Sequence, residues 1–168
     1  DGVVADFGGG SLELARIYTD HVHDTVSLPM GAYRVQAMGD QADRMIHDLM
    51  EPVVARFGGG EALYAIGGSW RALASAYMKE QGQNHTLQGY KIPAPEMVAF
   101  CHKISGMTDA QLREAYRMES HQSRLAPVAA QTLARVLSIL GPKFFVVSTA
   151  GVRDGVVHEF LLSFGKTQ

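Results

Sequence analysis

Apolar residues recur along the chain with two different periods, and the points where the period changes mark the elements. Val3-Val4-Ala5 runs into Asp6-Phe7-Gly8-Gly9-Gly10-Ser11, which reads as a strand entering a glycine turn. Leu12 to Tyr18 reads as the next strand and Thr19-Asp20-His21 as a polar turn. Alternation from His23 to Leu28 then predicts the returning arm of a hairpin. The chain therefore opens as a β-meander.

After Pro29-Met30-Gly31 the period becomes helical. Ala42, Met45, Ile46, Leu49, Val53 and Val54 predict one helix that ends at Gly58-Gly59-Gly60. Ala62 to Ile66 predicts a short buried strand, Gly67-Gly68-Ser69 a second glycine turn, and Trp70 to Met78 a helix directly behind it. Lys79 to Pro95 is polar and turn-rich, with a brief extended stretch inside Leu87 to Ile92. Pro93 and Pro95 open a helix through Ile104, and Thr108 is placed to cap a short one. Leu125, Val128, Ala129, Leu133, Val136, Leu137 and Leu140 predict a helix from Gln122 to Leu140, stopped by Gly141-Pro142. Phe144 to Val147 predicts another buried strand, and Thr149-Ala150-Gly151 leads into a last helix, Val152 to Phe164. The order βββαβα, a helical insertion, then βα predicts an α/β fold with a mixed sheet and helices on both faces. Residues 1–168 are expected to form one domain.

Composition narrows this picture. With 168 residues, 46% hydrophobic and 19% charged, the chain can build a core without disulfide or metal. Cys101 stands alone and cannot pair internally, which points to a reducing, cytoplasmic setting. No secretory segment and no apolar run of membrane length occurs, so no membrane partner is expected. A net charge of -2 without any Lys/Arg cluster argues against nucleic acid as a partner. The chain starts at Asp1 without a methionine, and we expect it to be part of a longer sequence.

The candidate chemistry sits in the glycine turns. At Gly8-Gly9-Gly10 the backbone can turn with positive φ, approach a ligand closely and offer N–H groups to an anion, and Ser11 adds a hydroxyl. Asp6 and Glu13 flank the turn with carboxylates that can hold Mg²⁺ against a phosphate. A plain tight hairpin with solvated acids would use the same residues. Gly67-Gly68 ends a strand and opens a helix, whose N-terminus favours an anion, and Ser148 to Gly151 repeats that arrangement. Arg71, Arg124 and Arg153 lie near these turns and can pair with phosphate oxygens. The seven histidines show no ligand spacing, and Ser69 lacks the Gly-x-Ser-x-Gly setting of a hydrolase nucleophile.

Taken in order, these segments resemble the exopolyphosphatase and guanosine-pentaphosphate phosphatase family of the ribonuclease H-like, actin-like ATPase superfamily. The resemblance rests on Val4 to Glu13, on Ser27 to Arg34, on Ala65 to Ala74, on Leu87 to Tyr90 and on Ser148 to Val157. It implies a hydrolase that removes the terminal phosphate from inorganic polyphosphate, with Mg²⁺, in a cleft between two lobes. This chain would be the second lobe. Asp6, Gly8, Gly9, Gly10 and Ser11 would cradle the phosphate, Gly67 and Gly68 would line the cleft, and Asp6 with Glu13 would hold the metal. Glu13 would also help to position water.

Two departures qualify the resemblance. Leu12 stands where the family commonly has Thr. The family's first phosphate motif and its general base lie upstream of the second motif, in the N-terminal lobe that these residues lack, so this chain alone is expected to be inactive. The resemblance also implies a homodimeric parent. Guanosine pentaphosphate is the alternative substrate. A kinase or ATPase lobe, and a non-catalytic phosphate-ligand sensor, are alternatives within the same superfamily.

Overall fold

Alternation in the first segment becomes three antiparallel strands, β1 (Gly2–Phe7), β2 (Leu12–Tyr18) and β3 (His21–Leu28). In this computed structural model, which describes residues 1–19 and 21–165, they form half of a six-stranded sheet. The others are β4 (Ala62–Ile66), β5 (Lys91–Pro93) and β6 (Phe144–Val147), and the order across the sheet is β3-β2-β1-β4-β6-β5. β1, β4 and β6 are parallel neighbours, so their carboxyl ends share one edge of the sheet. β5 is the brief extended stretch after Leu87, and it pairs antiparallel with β6. The expected mixed sheet flanked by helices is present.

One face of the sheet carries Val3, Ala5, Phe7, Leu12, Leu14, Leu63, Ala65, Phe145 and Val147, all buried. The helices that cover it are α1 (Ala32–Met38), α2 (Ala42–Met50), α3 (Val54–Phe57), α4 (Gly68–Glu80), α5 (Ala94–Ser105), α6 (Asp109–Tyr116) and α7 (Ser120–Leu140). In α4, Trp70, Leu73, Ala74 and Tyr77 recur at three-and-four spacing and are buried, as an amphipathic helix on a sheet requires. Trp70 ties three layers together. Its ring stacks on Phe7 of β1 at 4.9 Å, and its Nε1–H donates to the Ala129 carbonyl of α7 at 3.1 Å.

Several helix ends follow from local chemistry. Thr108 and Gln111 form a reciprocal capping box at the start of α6, and Gly141 takes the left-handed conformation that ends α7. The single helix expected from Ala42 to Val54 is instead α2 and α3 with a 3₁₀ turn, Glu51–Val53, between them. Pro52 is the cause, since it has no N–H to donate into an α-helical ladder. α1 gives little periodic signal because only Ala32 and Val35 of its residues are buried.

On the opposite face Val4, Ile17, Tyr64, Ile66 and Val146 are half-buried along a hollow of about 440 Å³. The final helix, α8 (Val152–Gly165), leaves Val156, Val157, Phe160 and Leu161 exposed. α8 buries none of these four against the sheet. No helix among them is long and apolar enough to cross a membrane.

Candidate functional site

The Gly8–Ser11 turn is held by its own backbone and by α1. Gly8 N–H donates to the Ser11 carbonyl at 3.0 Å, while the Gly8 and Gly9 carbonyls accept from Ala32 N–H at 2.9 Å and Tyr33 N–H at 3.0 Å. Gly31 makes this approach possible: a Cβ there would lie 2.3 Å from the Ser11 nitrogen and 2.4 Å from the Gly10 nitrogen. With its carbonyls engaged, the turn leaves the N–H groups of Gly9, Gly10 and Ser11 without an acceptor among the described residues. That is the polarity an anion needs.

The expected positive φ is not used at Gly8, Gly9 or Gly10. Closure by Ser11 and the clamp from α1 shape the turn within ordinary backbone space, so the demand on these positions is one of access. A Cβ at Gly10 would meet nothing within 4 Å, and one at Gly9 would meet only the Tyr33 ring. Positive φ appears instead at Gly67, at 110°, where a Cβ would also lie 2.7 Å from the Phe7 carbonyl oxygen. Gly67 thus lets the second turn press against the first.

Behind Gly67, α4 begins without a side-chain cap, and the N–H groups of Gly68, Ser69 and Trp70 find no acceptor among the described residues. Gly68 and Ser69 line the same recess as Gly8 and Gly9 of the first turn. This recess holds about 300 Å³, and Asp6, Gly8, Gly9, Gly67 and Gly68 line it, five of the residues singled out from the sequence. Gly10, Ser11 and Glu13 do not line it. The structure adds Tyr33, Ser69, His121 and Gln122. No spacing in the sequence marks His121 or Gln122, because α7 brings them in from a distant segment.

Asp6 and Glu13 are register partners across β1 and β2, which puts both side chains on one face of the sheet. Burial first, and then the nearby Glu13 charge, push the Asp6 carboxyl above its ordinary pKa. Glu13 is exposed and accepts a hydrogen bond from Ser27 Oγ at 2.9 Å. Among the described residues no three His, Cys, Asp or Glu side chains cluster as a closed metal site would require. Two like charges facing each other do fit Mg²⁺, which takes one or two carboxylates and completes its shell with water and phosphate oxygens.

The remaining sequence candidates lie elsewhere. Leu12 is fully buried, so its side chain faces the core and not the recess. In the third glycine turn most donors are already taken: Ser148 N–H donates to the Ala65 carbonyl, Thr149 N–H to Gln88 Oε1 and Gly151 N–H to Asp154 Oδ2. Arg124 donates to the Ser120 carbonyl, and Arg153 is exposed on α8.

Residues 1–164 match the Ppx/GppA phosphatase family. This chain belongs to that family. The Ppx/GppA chain shares its fold with an exopolyphosphatase from Cytophaga hutchinsonii, at a TM-score of 0.81 and 18% identity, covering 96% of this chain and 57% of that one. It is likewise similar to the Aquifex aeolicus Ppx/GppA family member, at a TM-score of 0.79 and 17% identity over 96% of this chain and 56% of that one. An exopolyphosphatase-like protein gives 0.79 and 21% over 94% and 57%. The chain thus spans a little over half the length of these structures, and its fold is that of one actin-like ATPase lobe. No curated protein matches the sequence.

Proposed function

We propose that the protein containing this Ppx/GppA lobe hydrolyses the terminal phosphoanhydride bond of inorganic polyphosphate. One observation carries the reading: two glycine turns, at the ends of adjacent parallel strands, border one recess beside Asp6, and N–H groups without an acceptor among the described residues stand in the first turn and at the start of α4. That arrangement binds a phosphoryl group whose charge must be spread over donors fixed in advance, and it needs little else from the protein.

In this reading the terminal phosphate sits against Gly8 to Ser11 and the start of α4. Water adds to its phosphorus, the bond to the bridging oxygen breaks, and orthophosphate leaves with a chain one unit shorter. Asp6 and Glu13 would hold Mg²⁺, which neutralises charge on the phosphate oxygens. Glu13 also accepts from Ser27, a contact that fixes its orientation. The general base is assigned to the other lobe, so this chain alone binds phosphate without turning it over; loss of a general base by itself costs about 10² to 10⁴ in rate.

Mg²⁺-dependent phosphate release by the whole protein from long-chain polyphosphate, beside a Glu13→Ala version, tests this. Release that Glu13→Ala slows by roughly 10² or more supports the reading. Consumption of guanosine pentaphosphate in place of polyphosphate moves the substrate and keeps the cradle. ATP turnover with neither would assign a kinase or ATPase lobe, and Mg²⁺-dependent binding without any turnover a sensor.

A further inference from the structure

A second recess, of about 220 Å³, adjoins the first and shares Gly68 and Gln122 with it, so the two lie side by side at the start of α4. Arg71 and Arg117 stand in its wall, and no carboxylate lines it. Arg71 lies just inside α4, three residues beyond the Gly68 that begins the helix, and Arg117 closes α6. Neither guanidinium has an ion-pair or hydrogen-bond partner among the described residues, whereas those of Arg16, Arg56, Arg124 and Arg135 are each engaged. Arg117 also holds a left-handed backbone, with φ 56° and ψ 35°, where glycine or asparagine is the cheaper choice. Buried Met118 follows it and pins the turn.

A single phosphate would need only the first recess. A groove of two adjoining recesses, one bordered by N–H donors and the other by two free guanidiniums with no carboxylate in its wall, matches an anion that repeats its charge along its length. We propose that Arg71 and Arg117 hold the phosphates that follow the terminal one in a phosphoanhydride chain, each pairing with non-bridging oxygens. This rests on the function proposed above. Such a chain can be inorganic polyphosphate or the phosphate tail of a nucleotide, and the groove would grip the chemistry common to both.

The test uses the whole protein with Mg²⁺ and compares Arg71→Gln, Arg117→Gln and the double variant by calorimetry. Tripolyphosphate affinity should fall about tenfold for each single variant while orthophosphate affinity stays the same, since a hydrogen bond to a charged group is worth about that factor. With polyphosphate as substrate, KM should rise and kcat should hold, and Arg71→Lys should recover part of the loss. A parallel loss with guanosine pentaphosphate assigns the groove to the phosphates of either source. Unchanged tripolyphosphate affinity in the double variant overturns the proposal. So does an equal loss for orthophosphate, or a loss confined to the nucleotide. If the wild-type protein hydrolyses none of these, the proposed activity falls, yet the tripolyphosphate comparison still decides the role of the arginines.

Discussion

Asp6 and Glu13 face each other directly across β1 and β2, so two carboxylates share one face of the sheet beside the glycine turns. Burial and the Glu13 charge together hold the Asp6 carboxyl above its ordinary value. The pair is arranged at a cost that a bound cation would relieve.

The pH dependence follows from that direction. Because folded Asp6 binds its proton more tightly than in the unfolded chain, its contribution to stability is fully present below the ordinary value of 3.8. It is lost as pH rises through the folded pKa. Asp6→Asn should therefore melt at a higher temperature than wild type at pH 7 and no higher at pH 3. Mg²⁺ should raise the wild-type midpoint and leave that of Asp6→Asn in place. Calorimetric melts with and without Mg²⁺ read both effects. Glu13→Gln should lower the Asp6 pKa, followed by NMR titration of its carboxyl carbon.

Gly10 and Gly31 should separate binding from folding. A Cβ at position 10 meets open space, so Gly10→Ala should change stability by no more than about 0.5 kcal/mol while weakening phosphate binding through blocked access. A Cβ at position 31 would sit inside the Gly10 and Ser11 backbone, and Gly31→Ala should cost about 1–3 kcal/mol. Denaturant melts and orthophosphate titrations on both variants distinguish the cases.

Trp70 is the chain's only tryptophan and touches the residue just before the first glycine turn. Its fluorescence should shift when orthophosphate binds. Trp70→Ala should cost about 3–5 kcal/mol from lost burial. Trp70→Phe should keep much of the packing and lose only the Nε1–H bond to the Ala129 carbonyl, at a cost of about 0.5–1.5 kcal/mol.

Cys101 is fully buried, and burial pushes its thiol well above the usual range. Native protein at pH 8 should therefore resist a thiol reagent, and labelling should follow global unfolding in denaturant. Reaction on mixing would show that α5 opens locally.

Much of the fold was legible because the signals were local. β1, β2 and β4 follow alternation or apolar runs bounded by glycine, and α6 begins at the Thr108 cap expected for it. α1 was not legible, because its seven residues bury only two side chains. The break between α2 and α3 was not read from Pro52, although that residue carried the signal. Of the candidate site, Asp6, Gly8, Gly9, Gly67 and Gly68 line one recess and Gly10, Ser11 and Glu13 do not, while Tyr33, His121 and Gln122 had no motif to announce them.

The sequence alone determined where the chain turns and which residue types stand at the turns, since a glycine's backbone freedom and a strand's period are properties of neighbouring residues. Only the tertiary structure decided that the turns after β1 and β4 converge while the one after β6 does not. Convergence depends on parallel pairing between strands separated by whole helices, on Gly67 packing against the Phe7 carbonyl, and on α1 clamping the first turn. The placement of Arg71 beside Arg117 was decided the same way, by α4 and α6 meeting in space. No period or spacing along one chain encodes such a meeting, because it arises from burying several faces at once.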